Sequence, residues 1–116
     1  IGQRGYVVRL GERLGLWDEP TYRQVSADWE NHRKAGTLDA VSFRKLTSET
    51  QRVRIDSAGR ITINKSLLDG FSLGDTVVLS GALSRVEIWP RETFAALHDT
   101  SEASANVSAA LDRMGL

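Results

Sequence analysis

The spacing of apolar residues changes along the chain, and each change marks an element. Tyr6-Val7-Val8-Arg9-Leu10 predicts a strand, Gly11-Glu12 a turn, and Arg13 to Trp17 the returning strand. Asp18 then caps a helix with Pro20 in its first turn, and Tyr22, Val25 and Trp29 fall on one helical stripe. Gly36 ends that helix. Thr37 is the expected cap of a second one, with Leu38, Val41 and Leu46 as apolar positions and Phe43 beside them. Gln51 to Ile55 predicts a strand, Asp56-Ser57-Ala58-Gly59 a turn, and Arg60 to Ile63 the strand that returns. A single helical turn, Ser66 to Asp69, closed by Gly70, precedes another hairpin, Thr76 to Ser80 and Arg85 to Trp89. Arg91 to His98 is a short helix. Residues 99–106, small and polar, read as a flexible linker, and Val107, Leu111 and Met114 give a weak terminal helical stripe. Hairpins interleaved with helices make the class α+β.

The hairpins repeat. Val7, Val8 and Gly11 match Val77, Val78 and Gly81 at an offset of 70, while Leu14, Leu16, Trp17, Thr21 and Tyr22 match Val86, Ile88, Trp89, Thr93 and Phe94 at 72. The difference implies a two-residue insertion in the second hairpin's turn. Two copies of one unit suggest a pseudo-twofold domain. The second copy is preceded by the 51–63 hairpin. The counterpart of Asp56 in the first copy would lie about fourteen residues before Ile1, so the first hairpin of the first repeat is expected to be missing. Residue 1 is not methionine and is not read as the translational start. Loss of that hairpin is expected to leave Val7, Leu14 and Leu16 partly uncovered.

The 51–63 hairpin carries the most chemistry. Its alternation puts Val53, Ile55, Ile61 and Ile63 on one face and Arg52, Arg54, Asp56, Arg60, Thr62 and Asn64 on the other. Asp at the first turn position bonds backbone two residues on, and Gly at the fourth takes positive φ. A ribbon with an apolar back and an arginine-rich front fits the major groove of B-DNA, which is about 12 Å wide. Asp56 can orient the Arg60 guanidinium toward guanine. A solvent-facing hairpin with an ordinary surface ion pair fits the same residues.

Charge adds to this picture. The 116 residues balance fifteen Lys+Arg against fifteen Asp+Glu, so no overall basic excess advertises nucleic acid. The balance hides a local excess: residues 41–65 hold six basic and two acidic groups, and residues 66–116 three and seven. Twelve of the fifteen basic residues are arginine, the side chain suited to bidentate contacts. Cysteine is absent, which excludes a disulfide framework, a thiolate zinc site and a cysteine nucleophile. His32 and His98, the only histidines, fall at expected helix C-termini; Asp18 and Glu19 suit a helix start. The tryptophans read as core. There is no phosphate loop, nucleophile elbow or membrane-length apolar run. No catalytic residue, metal, cofactor, membrane or small-molecule substrate is expected, and a soluble cytoplasmic protein is.

The run Arg52 to Phe94 resembles the second repeat of the MraZ family. It shares D-x-x-G-R at Asp56 to Arg60, Leu67-Leu68, a GDTVVLSG strand, and Glu87-Ile88-Trp89 before a short helix. Gly5 to Trp29 resembles the back half of the first repeat, and residues 36–51, with Phe43 and Arg44, the inter-repeat helix. The resemblance implies residues 1–35 as half a repeat, 36–50 as linking helix, 51–98 as a full repeat, and 99–116 as a flexible tail with weak helix. It implies a double swapped-hairpin, AbrB-like β-barrel with peripheral helices, assembling into rings of about eight or more subunits. It further implies a nucleoid-associated transcriptional regulator of the division and cell-wall gene cluster. Such a regulator binds double-stranded DNA at G-rich direct repeats, with Arg60 reading guanine. Asp56, Arg52, Arg54 and Thr62 complete the DNA-binding set. Asn64 stands where the family usually has proline, and the first D-x-x-x-R is absent. The alternative is an antitoxin-like interaction module whose tail, residues 99–116, binds a partner protein.

Overall fold

A computed structural model describes residues 3–69 and 76–116. Gly70, expected to close a helical turn, lies outside the described residues, as do the first two positions of the expected GDTVVLSG strand. In chain order the elements are β1 (Gln3–Leu10), β2 (Arg13–Asp18), α1 (Glu19–Ala35), α2 (Ala40–Ser48), β3 (Thr50–Ile55), α3 (Lys65–Leu68), β4 (Val77–Ala82), β5 (Arg85–Pro90), α4 (Arg91–His98) and α5 (Ser101–Arg113). The strands form one antiparallel sheet in the order β3-β1-β2-β5-β4. No described helix is long and apolar enough to cross a membrane.

Strand register makes the repeat exact in a way the residue types alone did not. Leu10 faces Arg13 across the first turn, and Ala82 faces Arg85 across the second, each 72 residues later. Both turns therefore hold two residues, Gly11-Glu12 and Leu83-Ser84, and the expected two-residue insertion does not exist. The backbone agrees: Gly11 and Leu83 occupy the same turn position, with φ of 70° and 57°. The 70-residue match of Val7-Val8 to Val77-Val78 is a coincidence of similar residues. Where β2 meets β5, Leu14 pairs with Ile88, Gly15 with Glu87 and Leu16 with Val86. A shift of 72 exchanges the outer two pairs, so a local pseudo-twofold axis passes through Gly15 and Glu87.

At that axis the two repeats share one carboxylate. The Glu87 carboxylate accepts from Arg13 Nε at 3.1 Å, from Arg85 Nε and Nη2 at 2.9 and 2.7 Å, and from Trp89 Nε1 at 3.2 Å. The guanidiniums also cross over. Arg13 lies 5.3 Å from the Trp89 ring centroid and Arg85 5.5 Å from that of Trp17, so each repeat's arginine covers the other's tryptophan. The symmetric position is glycine for steric reasons: a Cβ on Gly15 would stand 2.8 Å from the Trp17 ring. Trp17 Nε1 is accordingly left without a partner.

On this side of the sheet α1 packs Tyr22 and Trp29 onto Tyr6 and Trp17, and α4 packs Phe94 and His98 onto Trp89. The opposite side holds the aliphatic core of Val7, Leu14, Val53, Leu67 and Ile88. Ile61, Ile63 and Leu68 cover it, and Val7 and Leu14 are buried. The expected uncovering of Val7 and Leu14 is therefore wrong, while Leu16 is half-buried as expected. The more exposed residues are on the second repeat: Leu79, the counterpart of Val7, is 67 % exposed. Val77, Leu79 and Val86 open into an apolar groove of about 420 Å³. The outer edge of β4 has no partner strand among the described residues.

Three local expectations change. Asp39, not Thr37, caps α2, taking the Ser42 N–H at 2.7 Å and the Ser42 hydroxyl at 2.9 Å. Thr37 is consumed closing α1, with its hydroxyl against the His32 carbonyl and Nδ1. The shifted cap turns Val41 outward while Phe43 and Leu46 face inward. Arg60 to Ile63 is not a strand: β3 pairs with β1 on one edge, Gly5 facing Val53, and on the other the Gln51 side chain, not a backbone ladder, takes the Thr62 carbonyl and the Asn64 N–H. Residues 101–113, expected to begin as linker, form a continuous helix. Thr100 caps it through the Ala103 N–H at 3.0 Å, and four alanines favour it.

Burial alone would raise the Glu87 carboxyl, but donors from Arg85, Arg13 and Trp89 and the Arg13 charge outweigh it and hold it below the usual range. Its contribution is thus fully present above the ordinary glutamate range and lost as pH falls through the folded value. Glu87→Gln should cost about 1.5–3 kcal/mol, the range for hydrogen bonds to a charged group. Denaturant melts across the acid range should show the difference between variant and wild type shrinking as pH falls.

Candidate nucleic-acid interface

β3 carries its arginines by strand alternation. Val53 is buried in the core while Arg52 and Arg54, on either side, are exposed on the opposite face. Past Ile55 the chain turns on one side chain. Asp56 Oδ1 accepts from the Ala58 and Arg60 N–H groups, both at 2.9 Å, and the Gly59 N–H donates to the Asp56 carbonyl at 3.0 Å. Gly59 has φ 78°, as its place in the turn requires. The Asp56 N–H closes the loop on the Arg60 carbonyl at 2.9 Å.

Asp56 also reaches the Arg60 side chain: Arg60 Nε donates to Oδ2 at 3.2 Å. That contact leaves the two terminal nitrogens of Arg60 facing outward, and its side chain is 78 % exposed. Holding a guanidinium by Nε presents the other edge for a bidentate acceptor. The Asp56 carboxyl is held below its usual range, chiefly by the Arg60 N–H against a small burial cost, then by the Ala58 N–H and the Arg60 guanidinium.

Beyond the turn the limb is held without a ladder. Gln51 Nε2 donates to the Thr62 carbonyl at 3.0 Å, and Gln51 Oε1 accepts the Asn64 N–H at 2.6 Å. Ile61 and Ile63 pack inward while Thr62 and Asn64 stay exposed. The expected two-faced ribbon is therefore present in its side chains though not in its backbone pairing. The structure brings Asp56 and Arg60 into contact, sets Arg52 and Arg54 on one face of β3, and leaves Thr62 exposed on the limb.

One arginine escaped the sequence reading. β1 pairs with β3 so that Arg4 stands directly opposite Arg54 and Tyr6 opposite Arg52. Arg4, Arg52 and Arg54 border a shallow surface hollow of about 300 Å³. No local pattern links residues 4 and 54; only the long-range pairing does. Among the described residues no group of three or more His, Cys, Asp or Glu could hold a metal ion.

Known proteins are similar to this sequence. The family described as "MraZ protein, putative antitoxin-like" matches residues 46–116. A protein of Ureaplasma urealyticum serovar 10, named Transcriptional regulator MraZ, is 39 % identical over 84 residues, which are 72 % of this chain and 57 % of that one. A protein of the same name from Phenylobacterium zucineum is 47 % identical over 43 residues, 37 % of this chain and 27 % of its own. A third, from Mesomycoplasma hyopneumoniae, is 33 % identical over 89 residues, 72 % of this chain and 61 % of its own. The chain spans less than two thirds of the length of each of these relatives.

The turn should respond to acid through Asp56. Its depressed carboxyl keeps the turn ordered above the ordinary aspartate range and releases it as pH falls through the folded value. In NMR titrations the Ala58 and Arg60 amides should shift together with a midpoint below that of an unstructured aspartate. Asp56→Ala should remove the titration and collapse both amides toward random-coil shifts.

Proposed function

The chain belongs to the MraZ family, and from that premise we propose that it is a DNA-binding transcriptional regulator. The observation that carries this is the Asp56–Arg60 turn, which presents an oriented, exposed guanidinium at the tip of an arginine-bearing hairpin. Arg60 reads guanine in the major groove through its free terminal nitrogens. Arg52 and Arg54, farther from the turn, meet phosphates, and Thr62 lies alongside. The target is a set of G-rich direct repeats in the promoter of a division and cell-wall gene cluster, and the protein works in the cytoplasm at the nucleoid.

One such hairpin binds weakly on its own, since non-specific affinities are typically 10⁻⁴ to 10⁻⁶ M at physiological salt. A ring-shaped homo-oligomer gains through effective concentration when several hairpins meet repeated boxes. The proposal includes the swapped-hairpin barrel. A first-repeat counterpart of β3 and residues 56–68, preceding the sequence given, would pair with the free β4 edge. It would cover Val77, Leu79 and Val86 as the second-repeat segment covers Val7 and Leu14. The pseudo-twofold register supports this reading. The second reading, an antitoxin-like module, draws on α5, whose Val107, Leu111 and Met114 form an exposed apolar stripe.

The reading turns on Arg60. Arg60→Ala should cost about 1–3 kcal/mol per reading hairpin and relax the guanine preference. Arg60→Lys keeps the charge but loses the planar fork, so in electrophoretic shifts it should bind scrambled and G-repeat duplexes almost alike. Unchanged specificity in Arg60→Lys would reduce Arg60 to a phosphate clamp. Undiminished DNA binding after deletion of residues 99–116 separates this function from a tail-borne one.

A further inference from the structure

A cluster of exposed positive charge lies where β1 of the first repeat meets β3 of the second. Arg4 on β1 and Arg54 on β3 are directly opposite in the antiparallel register, and Arg52 is the diagonal neighbour of Arg4. Directly opposed side chains on adjacent strands stand about 5 Å apart at Cβ, and like charges there are destabilising. Five other arginines, Arg13, Arg23, Arg33, Arg60 and Arg85, each meet a carboxylate. Arg4, Arg52 and Arg54 are all exposed, and among the described residues none has an ion pair or a side-chain hydrogen bond. The chain carries as many acidic as basic residues, so an intramolecular counter-charge was affordable and is not used here.

We propose that Arg4, Arg52 and Arg54 form one phosphate-binding patch, and that Arg4 extends the DNA-binding surface from the second repeat's hairpin onto β1 of the first. This rests on the DNA-binding reading and adds a contact to it. Opposed guanidiniums that repel each other in the free protein share an external polyanion on binding. Their spacing suits a phosphodiester strand. Arg52 and Arg54 lie about 6.8 Å apart along β3, far enough for each to meet a separate phosphate of one strand. Arg4 sets a second row one strand away, about 4.8 Å from the first. All three project from the same side of β3 as Asp56, which holds Arg60, so the patch lies behind the reading arginine and continues its stripe. Phosphate contact there fixes position and carries no sequence information.

The test is fluorescence anisotropy of a labelled G-repeat duplex and a scrambled duplex across a salt series, with the full chain and its variants. Arg4→Gln should weaken both duplexes by the same factor and leave their ratio unchanged. It should reduce the slope of log affinity against log salt by about one unit. The loss should be about threefold larger at low than at fourfold higher salt. Arg4→Glu, facing Arg54, should weaken DNA binding further yet raise the melting temperature at low salt, because it replaces repulsion with attraction. Wild-type binding with an unchanged slope in Arg4→Gln overturns the patch and leaves the function standing. A lower melting temperature in Arg4→Glu overturns it in favour of a structural role. If Arg4 is needed for binding tripolyphosphate but not for either duplex, the patch is a small-anion site and the proposal fails. If the wild type binds neither duplex, the DNA-binding reading itself is wrong and the patch falls with it.

Discussion

Where β2 meets β5, the two halves of the molecule are joined through one buried carboxylate. β2 and β5 contribute only three facing pairs, a short seam for a five-stranded sheet. Glu87 sits at its centre and takes donors from both repeats, Arg13 from one, Arg85 and Trp89 from the other. Two guanidiniums brought this close would repel without it. With it they lie over each other's tryptophans and shield the aromatic layers beneath α1 and α4. Gly15, its symmetry mate, has to be small because the Trp17 ring fills the space. The pseudo-twofold is therefore broken at its own axis, where one acid serves two bases and a second acid has no room.

A second junction decides what the sheet can present. β3 of the second repeat pairs along the outer edge of β1, in the first. The segment after β3 then folds back over Val7 and Leu14, which belong to the first repeat, while Val77 and Leu79 of the second stay open. This cross-repeat cover also gives the Asp56–Arg60 turn its platform. Ile61 and Ile63 anchor the limb in the core, leaving the turn free of packing and its guanidinium in solvent. The turn's platform is thus borrowed from one repeat and its residues from the other.

Much of this was legible in the residues. Both outer hairpins, the Asp18 cap, the Gly36 stop and the alternating faces of residues 52–64 follow from local pattern, and all are where that pattern put them. Asp56 and Gly59 announced their turn because each has a stereochemical job there. What was not legible depends on partners distant in sequence. Residues 51–55 were expected to pair with their neighbours at 60–63, yet the ladder forms with β1 and the Gln51 side chain holds the returning limb. Arg4 and Glu87 carry no local signal of their partners; only the register sets them opposite Arg54 and Gly15. The repeat offset was misread because Val-Val recurs at 70 by composition, whereas turn geometry requires 72. Residues 101–106 looked like linker because serine and asparagine favour loops; the alanines among them and the Thr100 cap tip the balance to helix.

If the seam is what unites the repeats, they must open together. Native-state hydrogen exchange, followed amide by amide through β2 and β5 in rising denaturant, measures this directly. Protected amides of both strands should converge on one opening free energy and one denaturant dependence. Separate isotherms, with β5 opening while β2 stays protected, would contradict the account and make the two hairpins independent units that merely touch.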